Sequence, residues 1–335
     1  MKGLIDMELF LLIILSIVLF IFCSRYIVIN EKSLTGILFC KMISFTTLLF
    51  KNHNRLLLEQ YKKINKENVW KVKEKTYRNY SIKKIDILGL TSYLLTPKKD
   101  TNGKIILQLH GGGYEKDLLN HSLYLARTYF KFTKTFEILT INYRVAPKNP
   151  FPAALDDCIL AYNWLLENGY KSENIVFAGD SAGGGLCLAT IMKLRDDKYV
   201  LPRAVITMSA WTNLTNTQSS FKDNFNIDPV FGKMNDSLIC ISTYAKGQDK
   251  TNPYISPYFG SFAGFPDMLL QVGSLEMLLS DTVDIAIKAK KCGVKVTQTT
   301  YYGMFHVFER YVHLLPEAKE AWLEIKFFLE DIFTN

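Results

Sequence analysis

From about residue 80 to the carboxyl terminus, apolar and polar positions alternate in blocks. A short, solid apolar run is followed by a polar or glycine-rich loop, and then by apolar residues at helical spacing. The solid runs predict strands over 105–109, 138–142, 175–178, 204–208, 268–272 and 294–301. The periodic stretches between and after them predict helices over 118–132, 153–168, 182–195, 282–292 and 317–333. In the second of these, Ala154, Cys158, Ala161 and Leu165 fall on one stripe, the expected packing face. Apolar strands that alternate with helices define an α/β fold with a mostly parallel sheet covered on both faces. Ahead of this body, two alternating runs, 82–87 and 91–95, predict a hairpin turning at Gly89-Leu90.

The amino-terminal pattern is different. Residues 9–23 are apolar apart from Ser16, with Lys2, Asp6 and Glu8 before them and Arg25 after them. With Met7 and the apolar residues beyond Arg25, the run approaches the ~20 residues that span a bilayer. A cleavable signal peptide fits less well, because Phe22 and Cys23 precede the available cut after Ser24 where small residues are required. Residues 1–30 are therefore expected to form an uncleaved, single-pass membrane anchor. Arg25, Lys32 and Lys41 outnumber Lys2, a bias that would keep the main domain in the cytoplasm. A second apolar stretch, 34–50, is interrupted by Lys41 and reads as an amphipathic helix that lies on a membrane or covers the active site. Residues 31–80 form that amphipathic or cap region, and 81–335 the catalytic domain.

Composition narrows the picture further. The 335 residues, 48% of them hydrophobic, suffice for one large domain with additions. The net charge is +8, and the densest basic run, from Lys62 to Lys75, is interleaved with Glu67 and Glu74. That mixture suits a solvated or membrane-facing surface and argues against a nucleic-acid groove. Six cysteines (Cys23, Cys40, Cys158, Cys187, Cys240, Cys292) show no C-x-x-C pairing and read as free thiols.

The chemistry gathers at predicted strand ends, where functional sites of such sheets lie. Gly179-Asp180-Ser181-Ala182-Gly183 joins a strand to a helix with the spacing of a nucleophile elbow. There the serine occupies a strained turn, and a β-carbon at either glycine would clash. His110-Gly111-Gly112-Gly113 follows the 105–109 run, and three glycines let backbone N–H groups form a concavity for an oxyanion. His110 itself reads as a structural donor that pins this loop. Ser181 needs a base and an orienting acid, which in this fold follow in the order serine, acid, histidine. Of five histidines (53, 110, 121, 306, 313), His306 lies just past the last strand and is the expected base. Glu276, three residues beyond the 268–272 strand, is the expected acid, with Asp281, in the N-cap region of the next helix, as the alternative.

Four blocks together resemble the hormone-sensitive lipase family of α/β-hydrolases, carboxylesterases that include arylacetamide-deacetylase-like members. They are His110-Gly111-Gly112-Gly113; Tyr143-Arg144-Val145-Ala146-Pro147 with Phe151-Pro152-Ala153-Ala154-Leu155-Asp156-Asp157; Gly179 to Gly184; and Gly303-Met304-Phe305-His306-Val307. The resemblance covers most of 103–307. It implies an eight-stranded, mostly parallel sheet flanked by helices, with a helical cap that includes an insert over about 211–258. It also implies oxyanion donors at Gly112, Gly113 and Ala182, with Gly111 in the same motif, an acid at Glu276, and no metal or organic cofactor. The implied activity is hydrolysis of a small-molecule or lipid ester, acetyl esters among them. Amides or lactones would suit the same triad, and the related gibberellin receptors bind without turnover but have lost the histidine. The anchored relatives face the lumen of the endoplasmic reticulum, opposite to the charge bias; sequons at Asn79, Asn120, Asn213 and Asn235 would suit that side. Three positions depart from the family pattern: Asn142, Lys148 and Asn213 stand where acidic residues are usual.

Overall fold

A computed structural model describes residues 28–29, 32–50, 75–99, 101–118, 120–234 and 237–334. Residues 1–27 of the anchor expected over 1–30, the basic run over 62–73 and His53 lie outside the described residues, while Val28–Ile29 at the anchor's end pairs antiparallel with Lys32–Ser33 in a separate two-stranded ribbon. Among those described, no helix is long and apolar enough to cross a membrane.

The chain runs in the order α1 (Leu34–Phe50), β1 (Lys75–Thr76), β2 (Tyr80–Ile87), β3 (Leu90–Pro97), β4 (Ile105–Leu109), α2 (Asn120–Thr133), β5 (Glu137–Ile141), α3 (Ala153–Glu167), β6 (Ile175–Asp180), α4 (Ala182–Asp196), β7 (Ala204–Met208), α5 (Ser219–Asp223), α6 (Leu238–Ile241), β8 (Asp267–Gly273), α7 (Leu279–Lys291), β9 (Val296–Tyr301) and α8 (Pro316–Thr334). These strands make one sheet in the order β9-β8-β7-β6-β4-β5-β3-β2-β1. Neighbours from β9 to β5 are parallel, and β5, β3, β2 and β1 pair antiparallel. Eight strands have five residues or more; the ninth, β1, adds two residues at the edge beyond the expected eight. The hairpin turns one residue earlier than its sequence suggests. Leu90 already pairs with Ile87, and Leu88 and Gly89 take positive φ values of 51° and 91° as the two turn residues.

The period-2 alternation of each buried strand divides the core. Ile105, Leu107 and Leu109 of β4 pack on one face with α3, α4 and α7, whereas Ile106 packs on the other with α2 and α8. Ala154, Cys158, Ala161 and Leu165 are all fully buried in the first cluster, as their spacing predicts. The described cysteines are free thiols. At the centre of the sheet, β4 is flanked by β5 on one side and β6 on the other. This is the switch point at which the carboxyl ends of α/β strands open a crevice.

Helix α1 is drawn into the body and its amino-terminal half is docked there. Phe39 stacks on Phe305 at 5.9 Å and meets Tyr311 edge-on at 4.8 Å. The Cys40 Sγ–H donates to the Gly303 carbonyl, and Glu317 accepts the Ser33 N–H and O–H just before the helix.

Candidate active site

Ser181 sits between β6 and α4 with φ 54° and ψ −123°, a conformation that a residue with a β-carbon adopts only when its surroundings impose it. The flanking glycines show why. A β-carbon on Gly179 would lie 2.4 Å from the Gly183 carbonyl oxygen, and one on Gly183 would lie 2.1 Å from that of Leu109. The tight turn holds the serine at the start of a fifteen-residue helix, whose first N–H groups have no intrahelical acceptor.

Three side chains from different loops meet here. The Ser181 Oγ lies 2.8 Å from His306 Nε2, and His306 Nδ1 lies 2.9 Å from Glu276 Oε2. The other carboxylate oxygen of Glu276 accepts the Gly273 N–H at 2.6 Å and the Ser209 O–H at 2.7 Å. A carboxylate can only accept, so Nδ1 carries the ring proton and Nε2 is left to accept from the serine hydroxyl. Glu276 is fully buried and the His306 side chain is 8% exposed, so little water competes for these contacts. The Phe231 ring packs at 4.6 Å from the imidazole.

Asp281, the alternative acid, points elsewhere. It lies in the first turn of α7 but caps nothing there, since Leu278 holds the N-cap position without a side-chain bond. Its buried carboxyl accepts the N–H groups of Thr212 and Asn213 at 2.6 and 2.9 Å, with further bonds from the Thr212 hydroxyl and the Gln218 amide. Asp281 thus anchors the segment that leaves β7, at Thr212 and Asn213. Burial pushes its carboxyl up to about 7.

The glycine loop lies beside the serine. Gly112 and Gly113 both take positive φ, and the loop is closed by the Gly112 carbonyl, which accepts the N–H groups of Glu115 and Lys116. The Gly111 N–H donates to Asp180 Oδ1 at 3.1 Å and so is already committed. The opposite oxygen of Asp180 takes Arg310. His110 is fully buried and stacked on Tyr143 at 4.2 Å, with Nδ1 2.8 Å from the Gly111 carbonyl, and burial lowers its pKa. It pins the loop, as expected. His313 is an exposed residue that meets Tyr124 edge-on.

A cavity of about 430 Å³ opens over Ser181 and His306, lined by these two, by Gly112 and Gly113, and by apolar residues that include Ile43 of α1, Phe231 and Phe305. Helix α1 thus forms part of the wall. Residues between 211 and 258 also bond the loop that carries Glu276: Asn224 Nδ2 donates to the Glu276 carbonyl at 2.7 Å, and Asp228 accepts the Met277 N–H at 2.8 Å.

Ser209, Asn224, Asp228 and the Asp180–Arg310 pair were not among the residues the sequence singled out. Ser209 directly follows the 204–208 strand, so its place at a carboxyl end was the available signal. Of the departures from the family pattern, Asn142 accepts the Leu118 N–H and so holds its loop as a neutral side chain. Asn213 is buried and bonded to Thr215 and Thr217, which leaves its sequon closed in the folded chain; Asn79 is exposed. The side chains of Asn120 and Asn235 lie outside the described residues. No group of three or more His, Cys, Asp or Glu among the described residues could hold a metal ion.

A nine-stranded sheet with a serine elbow at its switch point is the architecture of an α/β-hydrolase. The profile of the α/β-hydrolase fold matches residues 106–310, and the chain belongs to that family. Relatives include an acetyl-hydrolase, esterases and hormone-sensitive lipases. An acetyl-hydrolase of Streptomyces hygroscopicus is 34% identical over 220 residues, which is 66% of this chain and 73% of the relative. The structure of EstE5 soaked with p-nitrophenyl butyrate superposes with a TM-score of 0.76 at 30% identity, over 90% of this chain and 99% of that one. An esterase from the bacterial hormone-sensitive lipase family gives 0.71 at 32%, over 77% and 86%. The protein is an ester hydrolase of the esterase and lipase type.

Proposed function

We propose that the chain cleaves carboxylic esters through an acyl-enzyme formed on Ser181, with His306 as general base and Glu276 as its orienting acid. The observation that carries this reading is the pair of contacts at 2.8 and 2.9 Å that links the three side chains in the required order. His306 takes the Ser181 proton as Oγ attacks the ester carbonyl, and the buried Glu276 stabilises the imidazolium. The N–H groups of Gly112, Gly113 and Ala182 hold the oxyanion, an interaction worth roughly 3 kcal/mol per donor in related chemistry. His306 then protonates the departing alcohol and activates the water that releases the acid. Retention of both Ser181 and His306, in contact, favours turnover over a receptor role.

The apolar lining by Ile43, Ile239, Phe231 and Phe305 favours a short-acyl or lipid-like ester. The acetyl-hydrolase relative makes acetyl esters natural candidates. Residues 31–80 and the insert over 211–258 form the cap in this reading, because α1 and the insert both line the cavity. The apolar run over 9–23 supports attachment to a membrane, and exposed Leu38, Met42 and Phe45 on α1 would lie beside it. The test of mechanism is covalent: incubation with a fluorophosphonate should add one adduct mass to Ser181 and stop hydrolysis of 4-nitrophenyl butyrate. Labelling elsewhere, or hydrolysis unaffected by complete labelling, would overturn it.

A further inference from the structure

The glycine loop and the segment just after α6 meet residue against residue. The Ser242 hydroxyl donates to the Gly113 carbonyl at 2.9 Å. The Tyr244 ring stacks on that of Tyr114, with centroids 3.9 Å apart and planes 6° from parallel. Glu115 Oε1 accepts the Thr243 N–H at 2.6 Å and the Thr243 O–H at 2.9 Å. Both tyrosines are buried, and their backbone carbonyls accept the N–H groups of Ala146 and Phe151. Residues 242–244 thus hold residues 113–115 from outside the loop.

These contacts act on the peptide planes of the loop. In a trans peptide the C=O of one residue and the N–H of the next point in opposite directions, so whatever holds the carbonyl aims the N–H. The Gly113 N–H shares its plane with the Gly112 carbonyl, which accepts the N–H groups of Glu115 and Lys116, each at 3.1 Å. Glu115 is therefore bonded at both ends. Its backbone N–H sets the Gly112–Gly113 plane, and its carboxylate is held by Thr243. The Gly113 carbonyl, in the next plane, is held by Ser242. Gly112 and Gly113 have no side chain to fix these planes, and their φ values of 128° and 64° lie where glycine is permissive.

We propose that Glu115 is a positioning residue for ester hydrolysis: tied to Thr243, and with Ser242 on the Gly113 carbonyl, it keeps the Gly113 N–H aimed at the oxyanion. This deepens the ester-hydrolase reading and rests on Ser181 as the nucleophile and on the loop glycines as donors. Glu115 stands outside the cavity lining, so it acts through the loop and not on the substrate. Ile239, three residues before Ser242, lines the same cavity. One stretch of chain therefore both walls the substrate and steadies the donors. A misaimed donor loses more with a charged oxyanion than with a neutral ester carbonyl, so the effect falls on kcat.

The experiment measures turnover and transition-state affinity on the full chain. Hydrolysis of 4-nitrophenyl butyrate is scaled to the sites titrated by a fluorophosphonate, and inhibition by hexyl trifluoromethyl ketone is measured on the same preparations. In the ketone adduct Ser181 Oγ bonds to the carbonyl carbon, its proton passes to His306, and the carbonyl oxygen becomes the oxyanion. Glu115→Ala should lower kcat roughly tenfold with KM little changed, and should raise the ketone Ki by a similar factor. Glu115→Gln keeps an oxygen for Thr243 and should restore most of both. Ser242→Ala removes a single bond and should move kcat and Ki in the same sense, by about threefold. It carries the test if Glu115→Ala does not fold. The proposal is overturned if kcat per titrated site and Ki match wild type in the folded variants, if kcat falls while Ki does not, or if the loss lies in KM. It is equally overturned if Glu115→Gln is as impaired as Glu115→Ala. Ester turnover surviving in Ser181→Ala would instead sink the nucleophile reading.

Discussion

The Ser209 hydroxyl donates to Glu276 Oε1 at 2.7 Å and accepts the Val307 N–H at 3.0 Å. One buried side chain therefore joins Glu276, the proposed acid, to the residue that follows His306. It adds to the direct ties between those two loops, in which the Leu275 N–H donates to the Met304 carbonyl and the Gly303 N–H to the Ser274 hydroxyl.

Ser209→Ala should leave the fold intact while loosening both loops. We expect kcat to fall about tenfold with KM little changed, because the lost contacts orient groups that act in the transition state. A buried N–H and a carboxylate oxygen each lose a partner, so stability should fall by about 1–3 kcal/mol. Steady-state kinetics and urea melts on the same preparation check both.

Glu276→Gln tests the acid more severely. The amide keeps the size of the side chain but lacks the charge that stabilises the imidazolium, and it can present N–H to Nδ1, which reverses the tautomer. A loss of roughly 10³–10⁴ in kcat is expected, by analogy with the buried aspartate of serine proteases. Asp281→Asn should cause no comparable loss, since that side chain bonds to Thr212 and Asn213. A larger loss from Asp281→Asn than from Glu276→Gln would reverse the assignment.

The elbow glycines predict a contrast in stability. On Gly183 an added methyl group would meet the Leu109 carbonyl oxygen at 2.1 Å, a fixed backbone atom of the central sheet. Gly183→Ala should destabilise by roughly 3 kcal/mol or more. Gly103 has φ 70°, and a β-carbon added there would meet nothing within 4 Å, so the same change should cost only about 1 kcal/mol. Thermal melts of the two variants give the comparison directly.

Asp281 also predicts a pH dependence. Burial raises its carboxyl from 3.8 to about 7 in the folded chain. Between those values the folded state holds a proton that the unfolded state has released. Its contribution is therefore most favourable below about pH 4 and declines as pH rises toward 7. Asp281→Asn removes this titration, so its stability relative to wild type should improve from pH 5 to pH 8, by about 1 kcal/mol or more. Paired urea melts at the two pH values measure the difference, and the reverse trend would mean that the surrounding donors outweigh burial.

The parts of this molecule that were legible in the sequence are those set by local pattern. The 105–109 and 204–208 strands announce themselves because a strand buried on both faces is mostly apolar, each here admitting one polar residue, and both occupy those residues in the structure. The elbow is legible because its spacing is local: Gly179 answers the Gly183 carbonyl four residues on, although Gly183 itself answers the distant Leu109 carbonyl. Long-range pairing leaves no such trace. The commitment of the Gly111 N–H to Asp180, the tie from Ser209 to Glu276 and the grip of Asp281 on the insert join residues about 70 apart, and each involves a residue type that is common in loops. Glu276 and Asp281 are both acids beyond the same strand. Only the turn between them, which sends one carboxylate to the imidazole and the other to Thr212, distinguishes them.

Asp180 binds the Gly111 N–H with one oxygen and Arg310 with the other, while its own backbone leads into Ser181. The glycine loop, the elbow and the segment beyond His306 thus converge on one carboxylate that is almost entirely shielded from solvent. They form a single mechanical unit, not three flexible loops that meet by chance. Heating should not soften the reactive centre ahead of the body: catalytic competence and the folded sheet should be lost in the same transition. An enzyme wired in this way has its working temperature capped by global unfolding and not by an early loosening at the serine.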